Sequence, residues 1–172
     1  MLLRTVVLLS LGLIVWAACA LLMPERSLST EPFSYWEVQT VLIRDAEGSL
    51  RLGRDGDGWR IESASESQAD PRRVRALISL WTPGLTRTQA IQPSSTPGGA
   101  DALGFGEEVR QLTLLDQSGK ALLDLDLGHR RPGGVIYLRV HGTQSAASAV
   151  LPLGPEPSSR EEDWVLRPKA KD

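Results

Sequence analysis

Apolar and polar residues alternate with period two in three successive stretches: Val41 and Ile43, Leu50 and Leu52, then Trp59 and Ile61. Side chains on a strand point to opposite faces in turn, so the pattern predicts three short strands, each with one face on a core. Asp45-Ala46-Glu47-Gly48 between the first two fits a type I turn, with Asp at its first position and Gly at its last. The acidic cluster Asp55-Gly56-Asp57-Gly58 raises the alternative of a calcium loop, which needs oxygen ligands at positions 1, 3 and 5, Gly at 6 and Glu at 12. Counting from Asp55, Trp59 falls at the fifth position and Arg60 at the sixth, so the cluster reads as a second hairpin turn.

At Asp70 the period changes. Val74, Leu77, Ile78 and Trp81 stand at i, i+3, i+4 and i+7, with Asp70 as N-cap, Pro71 at the first helical position and Pro83-Gly84 as a stop. This predicts an amphipathic helix over 71–82, with Arg72, Arg73 and Arg75 off the apolar stripe and solvated. Residues 85–91 fit one more strand, and the Pro/Gly/Ser-rich stretch 92–106 reads as a long connection. Period two then returns. A strand ending at Leu115, an Asp116-x-x-Gly119 turn and a strand carrying Leu123, Leu125 and Leu127 on one face are followed by a turn at 129–134, a strand to Val140 and a last one near 149–153. The predicted fold is α+β, two antiparallel β-meanders packed on one amphipathic helix.

Ahead of all this, residues 6–23 carry no charge for 18 positions, between Arg4 and Pro24-Glu25-Arg26. A run of that length is just long enough to cross a bilayer as a helix. An uncleaved anchor, a cleaved signal segment ending at Ala18-Cys19-Ala20 and a lipid-modified Cys19 all remain open, and all three send the rest of the chain across the membrane. Arg4 on the near side gives the orientation. The expected organisation is a membrane segment over 1–24 with residues 5–23 in the bilayer, a linker over 25–34, a globular domain over 35–155 and a polar tail over 156–172. Within the tail, one capped turn is expected from Ser158 or Ser159 before Trp164. The expected location is a bacterial inner membrane, single-pass, with the domain in the periplasm.

Composition narrows the function classes. A net charge of −2 offers no basic excess to hold phosphate backbones, which argues against nucleic acid as a partner. The lone cysteine, Cys19, lies in the apolar run, leaving no intrachain disulfide, thiolate metal cage or exposed catalytic thiol. No G-x-S-x-G elbow, Walker loop or H-E-x-x-H occurs. No cofactor, no metal and no catalytic residue is therefore assigned, and a non-enzyme is expected. Two groups of side chains stand out nonetheless. His129, Arg130 and Arg131 share one predicted turn, a candidate contact for a partner or an anion. Asp124 and Asp126 alternate with the leucines, so both are expected on the exposed sheet face, where with His141 they form an alternative site, for binding a ligand or polymer in the periplasm or for the acid/base work of a small hydrolase.

The order of these features resembles the bacterial domain of unknown function 4340: GDGWRI at 56–61, ADPRRVRALISLW at 69–81, LGF at 103–105, LTLLDQSGKAL at 112–122, LDLG at 125–128 and VIYLRV at 135–140. The resemblance covers roughly residues 36–153 and is carried by structural motifs. Members of that family are encoded beside, or fused to, ABC-type transport components of the gliding-motility kind. The resemblance implies an envelope-tethered accessory with a transporter or other envelope protein as partner, and it carries over no active-site residues.

Overall fold

A computed structural model of the chain describes residues 31–62, 67–83, 88–91, 96–144, 146–151 and 154–166. The apolar run, most of the expected linker and the last residues of the tail lie outside these. Among the described residues eight strands form one antiparallel sheet: β1 (Thr40–Asp45), β2 (Gly48–Asp55), β3 (Gly58–Ile61), β4 (Thr88–Ile91), β5 (Arg110–Leu115), β6 (Ala121–Arg131), β7 (Val135–Val140) and β8 (Ala146–Val150). Their order in space is β3-β2-β1-β5-β6-β7-β8-β4. The two meanders are thus halves of one sheet, joined where β1 pairs with β5 from Thr40↔Leu115 to Arg44↔Gln111.

The turns form as their residues dictate. Asp45 Oδ1 accepts the Glu47 N–H at 2.9 Å, and Gly56 takes φ +57° in the Asp55–Gly58 hairpin, a conformation that costs Gly little. Helix α1 (Pro71–Ser79) starts where predicted, with the Asp70 carboxylate accepting the Arg72 N–H at 2.9 Å. It ends three residues earlier than the periodicity suggested, and Trp81 reaches the core from the turn that follows. Val74, Leu77, Ile78 and Trp81 pack with the inward residues of the strands, among them Val41, Ile43, Leu52, Leu112, Leu114, Leu125 and Leu138.

Three expectations need correcting. The globular domain does not stop at 155. Trp164 is fully buried, its indole Nε1 donates to the Ser158 carbonyl at 2.8 Å, and the Arg73 guanidinium lies 5.3 Å from its ring centroid. The segment is stitched in by backbone bonds: Asp70 N–H to Trp164 O at 2.6 Å and Leu166 N–H to Gln68 O at 3.0 Å. Residues 67–69 in turn run along the outer edge of β3, so on that side the chain covers its own sheet edge, which would otherwise be a template for aggregation. A 3-10 turn does precede Trp164, at Glu161–Asp163, but neither Ser158 nor Ser159 caps it: Arg160 holds the N-cap position without a side-chain cap, and Ser159 is bonded instead to the first hairpin by Asp45, which accepts its N–H at 3.0 Å and its hydroxyl. Burial, the largest influence on Asp45, acts to raise its pKa, but the hydrogen bonds from Ser159, Glu47 and Gly48 together outweigh it and hold the carboxyl below its ordinary 3.8.

The start of the domain also shifts. Phe33, placed in the linker by the sequence, donates its N–H to Thr82 O at 3.1 Å and packs against the core. And the 92–106 connection is not wholly a loop: α2 (Gly99–Ala102) delivers Leu103 and Phe105 to the second face of the sheet, where they are buried with Tyr137 and Ala146.

That docking depends on two glycines. A Cβ on Gly128 would lie 2.2 Å from Leu103 O and 3.0 Å from Phe105 Cε1. Gly104, at φ +86°, would place one 2.5 Å from His129 N. Gly128→Val is expected to destabilise the fold by about 1–3 kcal/mol through overpacking, read by urea denaturation. Hydrogen exchange should quicken first in residues 99–106; uniform exchange with unchanged stability would show that the segment does not depend on this contact.

Candidate functional site

Strand β6 carries most of the candidate residues and sorts them onto two faces. Its pairing with β7 runs Leu127↔Leu138 and then Arg130↔Ile136, so Gly128 and His129 together oppose Tyr137. This is a β-bulge, in which one extra residue resets the alternation. Without it, Arg130 would lie on the opposite face from Leu127. With it, both join Ile136 and Leu138 on the α1 side. The sequence places His129, Arg130 and Arg131 in a turn, but all three belong to β6, and the turn is at Pro132–Gly134. They also separate: Arg131 lies over the Tyr137 ring at 5.3 Å on the other face, while His129 and Arg130 line a cleft.

The cleft holds about 320 Å³. Leu80, Trp81, Leu127, Ile136 and Leu151 give it apolar walls, Arg110, Arg130, Glu108 and Glu156 give it charge, and His129 adds an imidazole. Arg110 is aligned with Leu127 across β5 and β6, which brings it to the same end of the sheet as Arg130. The two guanidiniums share one exposed carboxylate: Glu156 lies 3.7 Å from Nη1 of each, too far for a hydrogen bond. Trp81 Nε1, Arg110 Nε and Arg130 Nε are buried and have no hydrogen-bond partner among the described residues. A buried donor left unmatched costs about 1–3 kcal/mol, and these three belong to residues that line one cleft. Arg110 and Glu156 carried no sequence signal, and Trp81 carried only that of a core residue, since strand register and a distant segment bring the three together.

The opposite face holds Asp124, Asp126 and His141, and here the sequence expectation fails for Asp126. It is 1% exposed, not on an open face. Its Oδ2 accepts from Arg139 Nε at 2.8 Å and Nη2 at 2.7 Å, and its Oδ1 lies 2.7 Å from His141 Nδ1. Arg139 in turn lies 4.8 Å from the centroid of the Phe105 ring, so the segment that follows α2 roofs the pair. Asp124 is half-buried and accepts from Thr113 Oγ1 at 2.8 Å and Gln111 Nε2 at 3.1 Å. A carboxylate on Nδ1 can orient an imidazole so that Nε2 faces outward as a base. The rest of the cluster is occupied in holding β5, β6 and β7 together. Among the described residues no three His, Cys, Asp or Glu side chains converge as a metal site.

A third feature lies at the start of the domain. Ser34 caps the 3-10 turn Tyr35–Glu37, and Glu37 reaches back to the Ser34 N–H at 2.6 Å, the reciprocal pattern that Ser-x-x-Glu announces in sequence. Arg54 Nη2 donates to Tyr35 O at 2.9 Å, and its guanidinium carbon stands 4.6, 5.3 and 4.9 Å from the ring centroids of Tyr35, Trp36 and Trp59. Arg75 adds a second cation 5.9 Å from Trp36, and Trp36 itself is 62% exposed.

Comparison of the chain with known protein families, with curated proteins and with solved structures found no match.

Proposed function

We propose that this chain is a membrane-tethered, extracytoplasmic interaction domain that serves a larger envelope assembly by binding rather than by catalysis. The observation that carries this reading is exposed Trp36, fixed between Tyr35, Arg54 and Arg75. Interface hot spots are rich in Trp, Tyr and Arg because such side chains bring large contact area with little flexibility left to freeze. Arg54 is bonded to Val38 O at 3.0 Å as well as to Tyr35 O, so the patch is held ready before a partner arrives. The uncharged run at 6–23, only a short linker away, supports a tether that keeps the patch near the membrane surface. The resemblance to the gliding-motility-associated family supports an ABC-type transport system as the assembly.

A photo-crosslinking amino acid at position 36, irradiated in native membranes, is expected to give one reproducible envelope-protein adduct by mass spectrometry. A chain that remains uncrosslinked at 36, or that reacts as diffusely there as at Glu47, overturns the reading. The second reading, a ligand-binding or hydrolytic site at Asp124 and Asp126, draws on His141, whose side chain is 48% exposed while Asp126 holds its inner nitrogen. His141→Ala is the informative variant for it.

A further inference from the structure

The cleft between β5, β6 and the end of α1 lies apart from the Trp36 patch and has its own chemistry. Its walls are hydrocarbon, from Leu80, Leu127, Ile136 and Leu151, and Trp81, Arg110 and Arg130 line it too, each with an N–H (Nε1, Nε and Nε) that is buried and unmatched by an acceptor among the described residues. Trp81 is 2% exposed, so its indole N–H has little access to bulk water. Guanidinium groups match carboxylates in a way that a point charge does not, through parallel N–H donors in a fixed fork. One carboxylate already stands between the two: Glu156 reaches each Nη1 only at 3.7 Å and leaves both Nε groups unserved. Glu156 therefore neutralises the pair without filling the site.

We propose that this cleft is a binding site for a small organic acid, one carboxylate on a short hydrocarbon body, whose carboxylate takes the place that Glu156 holds between Arg110 and Arg130. The hydrocarbon lies against Leu127, Ile136 and Leu151, close to the Trp81 side chain. A volume of about 320 Å³ admits a molecule of this kind and lies at the small end of ordinary ligand pockets. Glu108 at the rim opposes a second negative charge, which favours a monoacid over a diacid.

The test uses the full-length chain in nanodiscs of zwitterionic lipid, with hexanoate as the probe and the indole N–H resonance of Trp81, identified through Trp81→Phe, as the readout. Hexanoate is expected to shift that resonance saturably. Hexanol and hexylammonium at the same concentrations should leave it in place, as should inorganic phosphate. Arg130→Gln and Arg110→Gln should each weaken binding by about tenfold, the loss of one charge-assisted pair. Glu156→Gln, an exposed position whose change leaves the core intact, should tighten it by removing the competing carboxylate. No shift with hexanoate overturns the proposal, as does equal binding of hexanol, which would make the cleft merely apolar, or of phosphate, which would make it a bare anion site. Weaker binding in Glu156→Gln also counts against it, because the glutamate would then be a ligand contact rather than a stand-in.

Discussion

Replacing Trp164 by Ala is expected to lower the unfolding free energy by about 3–5 kcal/mol, the usual range when a buried aromatic side chain is cut back in a core that cannot collapse around the gap. The indole is enclosed by the core that includes Ala69 and Val74, bonds Ser158 O at 2.8 Å and lies under Arg73. All three contacts go at once. Domains of this size are stable by only about 5–15 kcal/mol, so the variant should show a large drop in its urea midpoint. The edge of β3 should also open, because residues 67–69 depend on the 164–166 segment on their outer side. Trp36→Ala supplies the contrast: that side chain is largely in solvent, and its loss should cost less than about 1 kcal/mol. Equal midpoints for the two variants would mean that the C-terminal segment is not part of the folded unit.

Asp126→Ala is expected to have a comparable effect for an electrostatic reason. Removing one member of a buried ion pair leaves the other without compensation, at a typical cost of about 3–5 kcal/mol. The charge left behind is Arg139, 16% exposed and pressed on Phe105, so the lower part of that range is expected. His141 loses a partner too, but its half-exposed imidazole finds water, and His141→Ala alone should cost less than about 1 kcal/mol. Replacing Asp126 and Arg139 together by Leu and Met should recover most of the loss, because no orphaned charge remains. If Asp126→Ala proves nearly neutral in chemical denaturation, the carboxylate is free for proton chemistry and the catalytic reading of that face regains ground. If it is as costly as expected, any activity lost in that variant reports unfolding rather than chemistry.

Where the sequence was legible, one local rule sufficed. Strands β1, β2 and β3, the Asp45–Gly48 and Asp116–Gly119 turns and the cap of α1 were each readable from a few neighbouring residues, because side-chain alternation, turn geometry and N-capping act over two to four positions. No such local rule places Arg130, which the sequence puts in a turn. Even with the strand extended, alternation past Leu127 would assign it to the wrong face, since the bulge at Gly128–His129 is set by a close approach to Leu103 and Gly104, more than twenty residues earlier in the chain.

By itself, then, the sequence determined the α+β class, the antiparallel hairpins, the start of the amphipathic helix and the uncharged run that suggests a membrane. Only the tertiary structure decided that the two meanders share one sheet through β1 and β5, that Trp164 closes the core rather than trailing in solvent, and that Asp126 is buried against Arg139. It alone brought Arg110, Arg130, Trp81 and Glu156 to one cleft. The physical reason is the same in each case. Periodicity reports which face of an element is apolar, but a lone Trp among charges, or an Asp among leucines, is buried or exposed according to what a distant segment lays over it, and that is settled by packing and charge pairing across the fold.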